Sequence, residues 1–199
     1  MQPPLLLASG SKIRRRLLEQ AGVPVEVSVA RIDEDSVRAS MLAEQAAPRD
    51  IADLLAEMKA RKVSDKHPGR LVLGCDQVLD HRGSLLAKAT TRLEAEQQLR
   101  ALCGDRHNLL SAAVLYQNGR PIWRHVGMVR LQMRTFSDAY LAAYLDRNWP
   151  GIQDSVGSYK LEEEGIRLFS KVDGDYFNVL GLPLLELLAY LTERGDLPG

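Results

Sequence analysis

Asn118-Gly119 sits between two β-rich runs, Leu109 to Tyr116 and Ile122 to Met133. A two-residue turn with left-handed backbone at both positions matches the twist of paired strands, so this is the strongest hairpin signal in the chain. A long antiparallel hairpin excludes an all-parallel, doubly wound sheet. Because strand and helix signals interleave elsewhere, the chain reads as mixed α/β.

Leu5 to Ala8 is a short apolar run broken by Ser9-Gly10-Ser11. Leu17, Leu18 and Ala21 then recur at helical spacing up to Gly22, so the opening is a strand, a loop and a helix. Val25 to Val29 reads as a strand running into an acidic patch, Asp33-Glu34-Asp35. Ile51, Leu54, Leu55 and Met58 give one apolar helix face between Pro48 and Val63. Leu71 to Leu79 reads as a buried strand interrupted by Asp76-Gln77. Thr91-x-x-Glu94 is a capping-box signature for a helix ending near Cys103, before Gly104. Ser137 caps a helix through Arg147, and Trp149-Pro150-Gly151 ends it. Ile166 to Val172 reads as a strand, Asp173-Gly174 as a turn, and Leu182 to Arg194 as a last helix with Pro183 in its first turn.

With 199 residues and no repeat or linker, one domain over 1–199 is expected. Lys and Arg number 26 against 26 Asp and Glu, and aromatics are only 6%. That balance argues against an extended nucleic-acid footprint, which calls for a basic groove with aromatics interleaved. It leaves a small phosphorylated ligand open, because local charge is uneven: Lys12 to Glu19 is basic and Glu162 to Glu164 acidic. The longest run without Asp, Glu, Lys or Arg, His107 to Gly119, is too short and too polar to span a bilayer. Met1-Gln2-Pro3-Pro4 lacks a basic leader region, so the cytoplasm is expected. Cys75 and Cys103 are too few for a disulfide framework or a four-ligand zinc site, and read as small apolar residues. His67, His81, His107 and His125 lack metal-ligand spacing and read as structural or surface groups.

Ser9-Gly10-Ser11, turning into a basic helix start with Lys12 and Arg14, offers N–H groups, hydroxyls and cations to one anion. The same residues also suit an ordinary N-cap with a solvated basic face. Neither the P-loop nor the dinucleotide fingerprint occurs in the chain. Asp76, a carboxylate inside an apolar strand, needs a cation, a water or a metal, and a structural salt bridge would serve equally. Taken singly, Glu34 reads as a surface carboxylate, Lys59 as a helix-end lysine, Lys88 as a loop lysine and Glu162 as part of an acidic turn.

In chain order these segments resemble the Maf family of nucleoside triphosphate pyrophosphatases, also named septum-formation inhibitors. The blocks are Leu7-Ala8-Ser9-Gly10-Ser11 with Arg14 and Leu17-Leu18, then Asp33-Glu34, Lys59-Ala60, Asp76-Gln77-Val78 and Lys88. Gly157-Ser158-Tyr159 and Gly174-Asp175-Tyr176-Phe177-Asn178-Val179-Leu180-Gly181-Leu182-Pro183 follow, so the likeness runs from Leu5 to Leu191. It implies an inosine-triphosphatase-like α/β fold, an elongated mixed sheet with helices around a cleft between two lobes, often a homodimer. The implied reaction hydrolyses the α–β phosphoanhydride of a nucleoside triphosphate to a monophosphate and pyrophosphate.

By the same resemblance Ser9, Ser11 and Arg14 bind substrate, and Lys59 and Lys88 are catalytic. Glu34 and Asp76 hold Mg²⁺ or Mn²⁺, and Asp76 is also the proton acceptor. The chain departs from the family's Ser-x-Ser-Pro-Arg-Arg, having Lys12 for the proline and Ile13 for the first arginine. Gln77 and Glu162 resemble the 7-methyl-GTP branch, which carries tryptophan where Ile13 stands. Ile13, Gln77 and Glu162 are thus the expected specificity positions. A carboxylate at Glu162 suits the N1 and N2 donors of guanine, favouring guanine-type triphosphates over UTP and dTTP. The alternative implied by the family's other name is a nucleotide-binding regulator of septum formation with little or no hydrolysis.

Overall fold

A computed structural model describes residues 3–198; Met1 and Gln2 of the amino-terminal stretch, and Gly199, lie outside the described residues. Its centre is one mixed sheet of seven strands: β1 (Leu5–Leu7), β2 (Val25–Val27), β3 (Val72–His81), β4 (Ser84–Leu86), β5 (Arg106–Gln117), β6 (Arg120–Met133) and β7 (Phe169–Asp173). The order is β2-β1-β3-β5-β6-β7, with β4 on the outer end of β3. Among the described residues only β1 pairs in parallel, with β2 and β3, and the other strand pairings are antiparallel. The mixed α/β class and the central hairpin are as expected. Asn118 at φ 53° and Gly119 at φ 71° form the two-residue turn, and β5 and β6 pair from Gln117↔Arg120 down to Arg106↔Gln132.

Among the described residues seven α-helices flank the sheet: α1 (Lys12–Gln20), α2 (Glu34–Ala43), α3 (Pro48–Ser64), α4 (Arg92–Leu102), α5 (Asp138–Asn148), α6 (Tyr176–Val179) and α7 (Leu184–Glu193). The acidic patch is therefore the start of a helix. Asp33 caps α2, accepting from the Ser36 N–H at 3.1 Å, and Glu34 and Asp35 occupy its positive end. The strand expected from Ile166 begins later, because Glu164–Leu168 is a 3₁₀ helix and only Phe169–Asp173 pairs with β6. Among the described residues no helix is long and apolar enough to cross a membrane.

The core divides in three. One part lies under α3 (Ile51, Leu55, Val72, Val78, Val114), and one lies on the sheet's other face with α1 and α7 (Leu18, Leu73, Leu115, Leu187). The third packs α4 and α5 against the far ends of β3, β5 and β6 (Leu79, Leu99, Leu109, Tyr144, Leu145). A cleft opens where the third part meets the other two.

Period-two alternation along β3 sends Gly74, Asp76 and Val78 to the α3 side. A Cβ at Gly74 would lie 2.1 Å from the Ala56 carbonyl and 2.6 Å from the Ala60 nitrogen, so α3 rests directly on β3. The buried face of α3 is accordingly built from small residues, Ala52, Ala56 and Ala60, beside Ile51 and Leu55.

His107, in the third core, meets the Tyr159 hydroxyl through Nε2 at 2.7 Å. Burial, aided by repulsion from His81, pushes its pKa from 6.5 down to about 4. The fold therefore favours the neutral ring, and unfolding takes up a proton below the ordinary value. Stability should fall as pH drops from about 6.5 to about 4, by on the order of 3 kcal/mol in total, and His107 adds no further slope below that. His107→Gln keeps a polar partner for Tyr159 and removes the titration. Urea midpoints across this range should then be flatter for the variant than for the wild type; equal slopes would contradict the assignment.

Candidate active site

The cleft has a volume of about 770 Å³, and every expected site residue lines it: Ser9, Ser11, Ile13, Arg14, Glu34, Lys59, Asp76, Gln77, Lys88 and Glu162. Asp76 lies at its floor, 4% exposed. Lys59, read from sequence as a solvated helix-end lysine, is buried at 7% exposure because α3 closes onto Gly74. Its Nζ donates to Asp76 Oδ1 at 2.7 Å and lies 2.9 Å from Glu34 Oε1. One ammonium thus serves two carboxylates, and the trio nets one negative charge. Asp76 Oδ2 is buried and has no hydrogen-bond partner among the described residues. An unpaired carboxylate oxygen at the bottom of a wet cleft is costly unless something entering the cleft satisfies it.

Arg14 ties the Ser9 loop to the floor. Its Nε donates to the Gly181 carbonyl at 2.7 Å, and Nη1 donates to the Cys75 carbonyl at 3.1 Å and to Ser9 Oγ at 3.2 Å. Ser9 Oγ also accepts from the Ser11 N–H, and Ser11 Oγ caps α1 by accepting from the Arg14 N–H. Ser9 Oγ thus accepts twice and Ser11 Oγ once, and both hydroxyl hydrogens are left to donate. Burial pushes the neighbouring Cys75 thiol up to about 11, so this cysteine is a packing residue.

Gln77 points to the opposite face of β3 from Asp76. Its Nε2 lies 3.0 Å from Ser111 Oγ and from the carbonyls of Asn178 and Val179, holding the α6 segment against the sheet. Lys88 is exposed, and its backbone pairs with Val156 across the cleft rim. The acidic turn separates by role. Glu164 is bound by Arg147 and Asn148, and the Arg147 hydrogen bond holds its carboxyl down at about 2. Glu162 is exposed and lines the cleft.

Several lining residues escaped the sequence reading, among them Arg38, Lys160 and Asp154. Arg38 follows Glu34 by four residues on α2, and the signal for that helix was Val37 and Met41, also four apart. Lys160 pairs with Asp154 at 2.9 Å, a contact between two loop residues that no spacing rule anticipates.

The site therefore joins a hydroxyl-lined loop, several cations and two carboxylates, the groups a polyphosphate and a divalent ion require. Comparison with known proteins agrees with that chemistry. A nucleoside triphosphate pyrophosphatase of Roseobacter denitrificans is 66% identical over 198 residues, 100% of each chain. One from Ruegeria pomeroyi is 64% identical over 195 residues, 98% of each. A 7-methyl-GTP pyrophosphatase of Mesorhizobium japonicum is 42% identical over 199 residues, again 100% of each. The model of the Maf-like protein family matches residues 4–194, and the chain belongs to that family.

Proposed function

We propose that this chain is a nucleoside triphosphate pyrophosphatase that cleaves the α–β phosphoanhydride, giving a nucleoside monophosphate and pyrophosphate. The observation that carries this reading is the unpartnered Asp76 Oδ2, buried beside Lys59 at the floor of a cleft rimmed with cations. Lys59 orients Asp76 through Oδ1 and leaves Oδ2 to accept a proton. A water then attacks phosphorus, its proton passes to Oδ2, the bridging P–O bond breaks, and the electron pair leaves with pyrophosphate. The Ser9 and Ser11 hydroxyls and the free Nη2 of Arg14 donate to phosphate oxygens. Lys59 and Lys88 offset charge that grows on the leaving group.

The donor set suits a hard divalent cation. Asp76 Oδ2 has no protein partner, and Glu34 gives only Oε1 to Lys59. Among the described residues no three His, Cys, Asp or Glu side chains gather as a self-sufficient metal cage. Mg²⁺ commonly uses one or two carboxylates and completes its shell with substrate phosphates and water, so Glu34 and Asp76 would hold Mg²⁺ or Mn²⁺ together with the nucleotide. Such an ion supplies phosphate charge neutralisation.

Glu162 and Ile13 both line the cleft, and in this reading both contact the base. A Glu162 carboxylate accepts from guanine N1 and N2, which uracil and thymine cannot supply. Ile13 adds dispersion contact without a π face. Gln77, its amide nitrogen engaged by Asn178 and Val179, acts on base choice through the α6 backbone it holds. The expected kcat/KM for GTP or 7-methyl-GTP exceeds that for UTP and dTTP by roughly 10-fold or more, and Glu162→Gln narrows the gap. A panel scored for pyrophosphate checks this; highest kcat/KM on UTP or dTTP would contradict it.

The same proposal takes 1–199 as one catalytic domain acting on free nucleotides in the cytoplasm as a homodimer. By removing unwanted triphosphates it would keep them out of nucleic acids. The activity itself is tested by pyrophosphate release from that panel with Mg²⁺ or Mn²⁺. No release from any nucleotide would leave the chain a binder, the septum-regulator alternative.

A further inference from the structure

Of the two arginines that line the cleft, Arg38 is the one whose side chain makes no short hydrogen bond to any protein acceptor among the described residues. It lines the cleft with its side chain 18% exposed, and its nearest carboxylate, Asp35, is 3.6 Å away and 93% exposed. Glu34, four residues earlier on the same face of α2, is its natural helical partner, but Glu34 turns to Lys59 at 2.9 Å. The other cleft bases differ. Arg14 is fixed by three acceptors, Lys59 by two carboxylates and Lys160 by Asp154. Lys12 and Lys88 are exposed. A guanidinium withdrawn from water without a close anion carries a cost that an incoming anion removes, and its planar fork matches phosphate oxygens.

The position of α2 indicates which phosphates. Val37 and Met41 seat it on the core beneath α3, whereas Glu162 follows Tyr159 and Leu161, which belong to the third part of the core, with α4 and α5. With the base on the Glu162 side, Arg38 faces the opposite end of the nucleotide. We propose that Arg38 clamps the β and γ phosphates, the pair that leaves as pyrophosphate, and so distinguishes triphosphates from monophosphates. This rests on the pyrophosphatase reading above. Arg38 belongs to none of the sequence blocks that carry the family resemblance.

The test compares wild type, Arg38→Ala and Arg38→Lys with Mg²⁺ present. Calorimetry measures pyrophosphate binding, and steady-state kinetics give KM for GTP and inhibition by GMP. Arg38→Ala should weaken pyrophosphate binding and raise KM by about 10-fold or more, while inhibition by GMP stays within twofold. Arg38→Lys, which keeps the charge and loses the fork, should fall between, with melting temperatures of all three alike. Pyrophosphate binding unchanged in Arg38→Ala, undetectable in wild type, or weakened only in step with GMP would overturn the clamp. The functional reading fails separately: if wild type binds pyrophosphate through Arg38 yet hydrolyses no triphosphate, the anion clamp stands and the pyrophosphatase assignment falls.

Discussion

Asp76→Asn should lower kcat for pyrophosphate release by about 10³-fold while KM changes only a few-fold, because the loss of a positioned general base typically costs 10²–10⁴-fold. The substitution is nearly isosteric. The amide carbonyl it introduces would still accept from Lys59, where Asp76 Oδ1 now does at 2.7 Å, so α3 stays in register with β3. What disappears is the acceptor at Oδ2, the buried oxygen that no protein group satisfies. An amide NH₂ there neither takes a proton from water nor joins a cation. Lys59 loses a charged partner but keeps Glu34 at 2.9 Å, so the protein should stay folded with a melting temperature close to that of the wild type. Turnover and melting curves measured on the same preparation separate the two effects. Activity within 10-fold of wild type in a folded Asp76→Asn protein would remove Asp76 from the proton-transfer role.

Gly74→Ala should produce the largest loss of stability. The added Cβ would sit 2.1 Å from the Ala56 carbonyl, 2.6 Å from the Ala60 nitrogen and 2.8 Å from the Ala60 Cβ, and none of these is the mobile end of a side chain. The helix must therefore lift as a body. Overpacking a tight interior costs about 1–3 kcal/mol and more where backbone has to move, so we expect a loss at or above the upper end of that range. Lys59 precedes Ala60 directly, and Asp76 lies two residues beyond Gly74 on the same face. The displacement that destabilises the fold thus also separates Lys59 from Asp76. Urea denaturation should show a much lower midpoint, and the protein that remains folded should release pyrophosphate at least 10-fold more slowly. Wild-type stability in Gly74→Ala would mean that α3 does not rest directly on β3.

How much of this was legible in the chain depended on whether the signal was local. The hairpin was, because Asn and Gly are the residue types that favour the positive φ both positions adopt. The capping box at Thr91 was too: Glu94 Oε2 accepts from the Thr90 N–H, and Thr91 Oγ1 accepts from the Glu94 N–H. Helix α2 was hidden because its opening acids read only as a surface acidic patch, while its apolar residues are few and Leu42 is 44% exposed. Strand β4 has only three residues, too few to show a period. Ile166 misled in the opposite direction: it looks like the start of a strand, yet it is 48% exposed within a 3₁₀ turn.

The site divides along the same line. Asp76 announced itself as a carboxylate in an apolar strand, and the structure gives it Lys59 as the cation while leaving Oδ2 free for something else. Lys59 taken alone looked solvated; it is buried because a glycine on the next strand, Gly74, lets the helix close. Gln77 bonds the carbonyls of Asn178 and Val179, 101 and 102 residues away in sequence, which no local rule reaches. Arg38 was out of sight because its helix was.

The central claim concerns which bond breaks, and phosphorus NMR of a running reaction reads it directly. With GTP and Mg²⁺, the account predicts GMP and pyrophosphate appearing in equal amounts, with no GDP or orthophosphate. GDP with orthophosphate as the first products would contradict it.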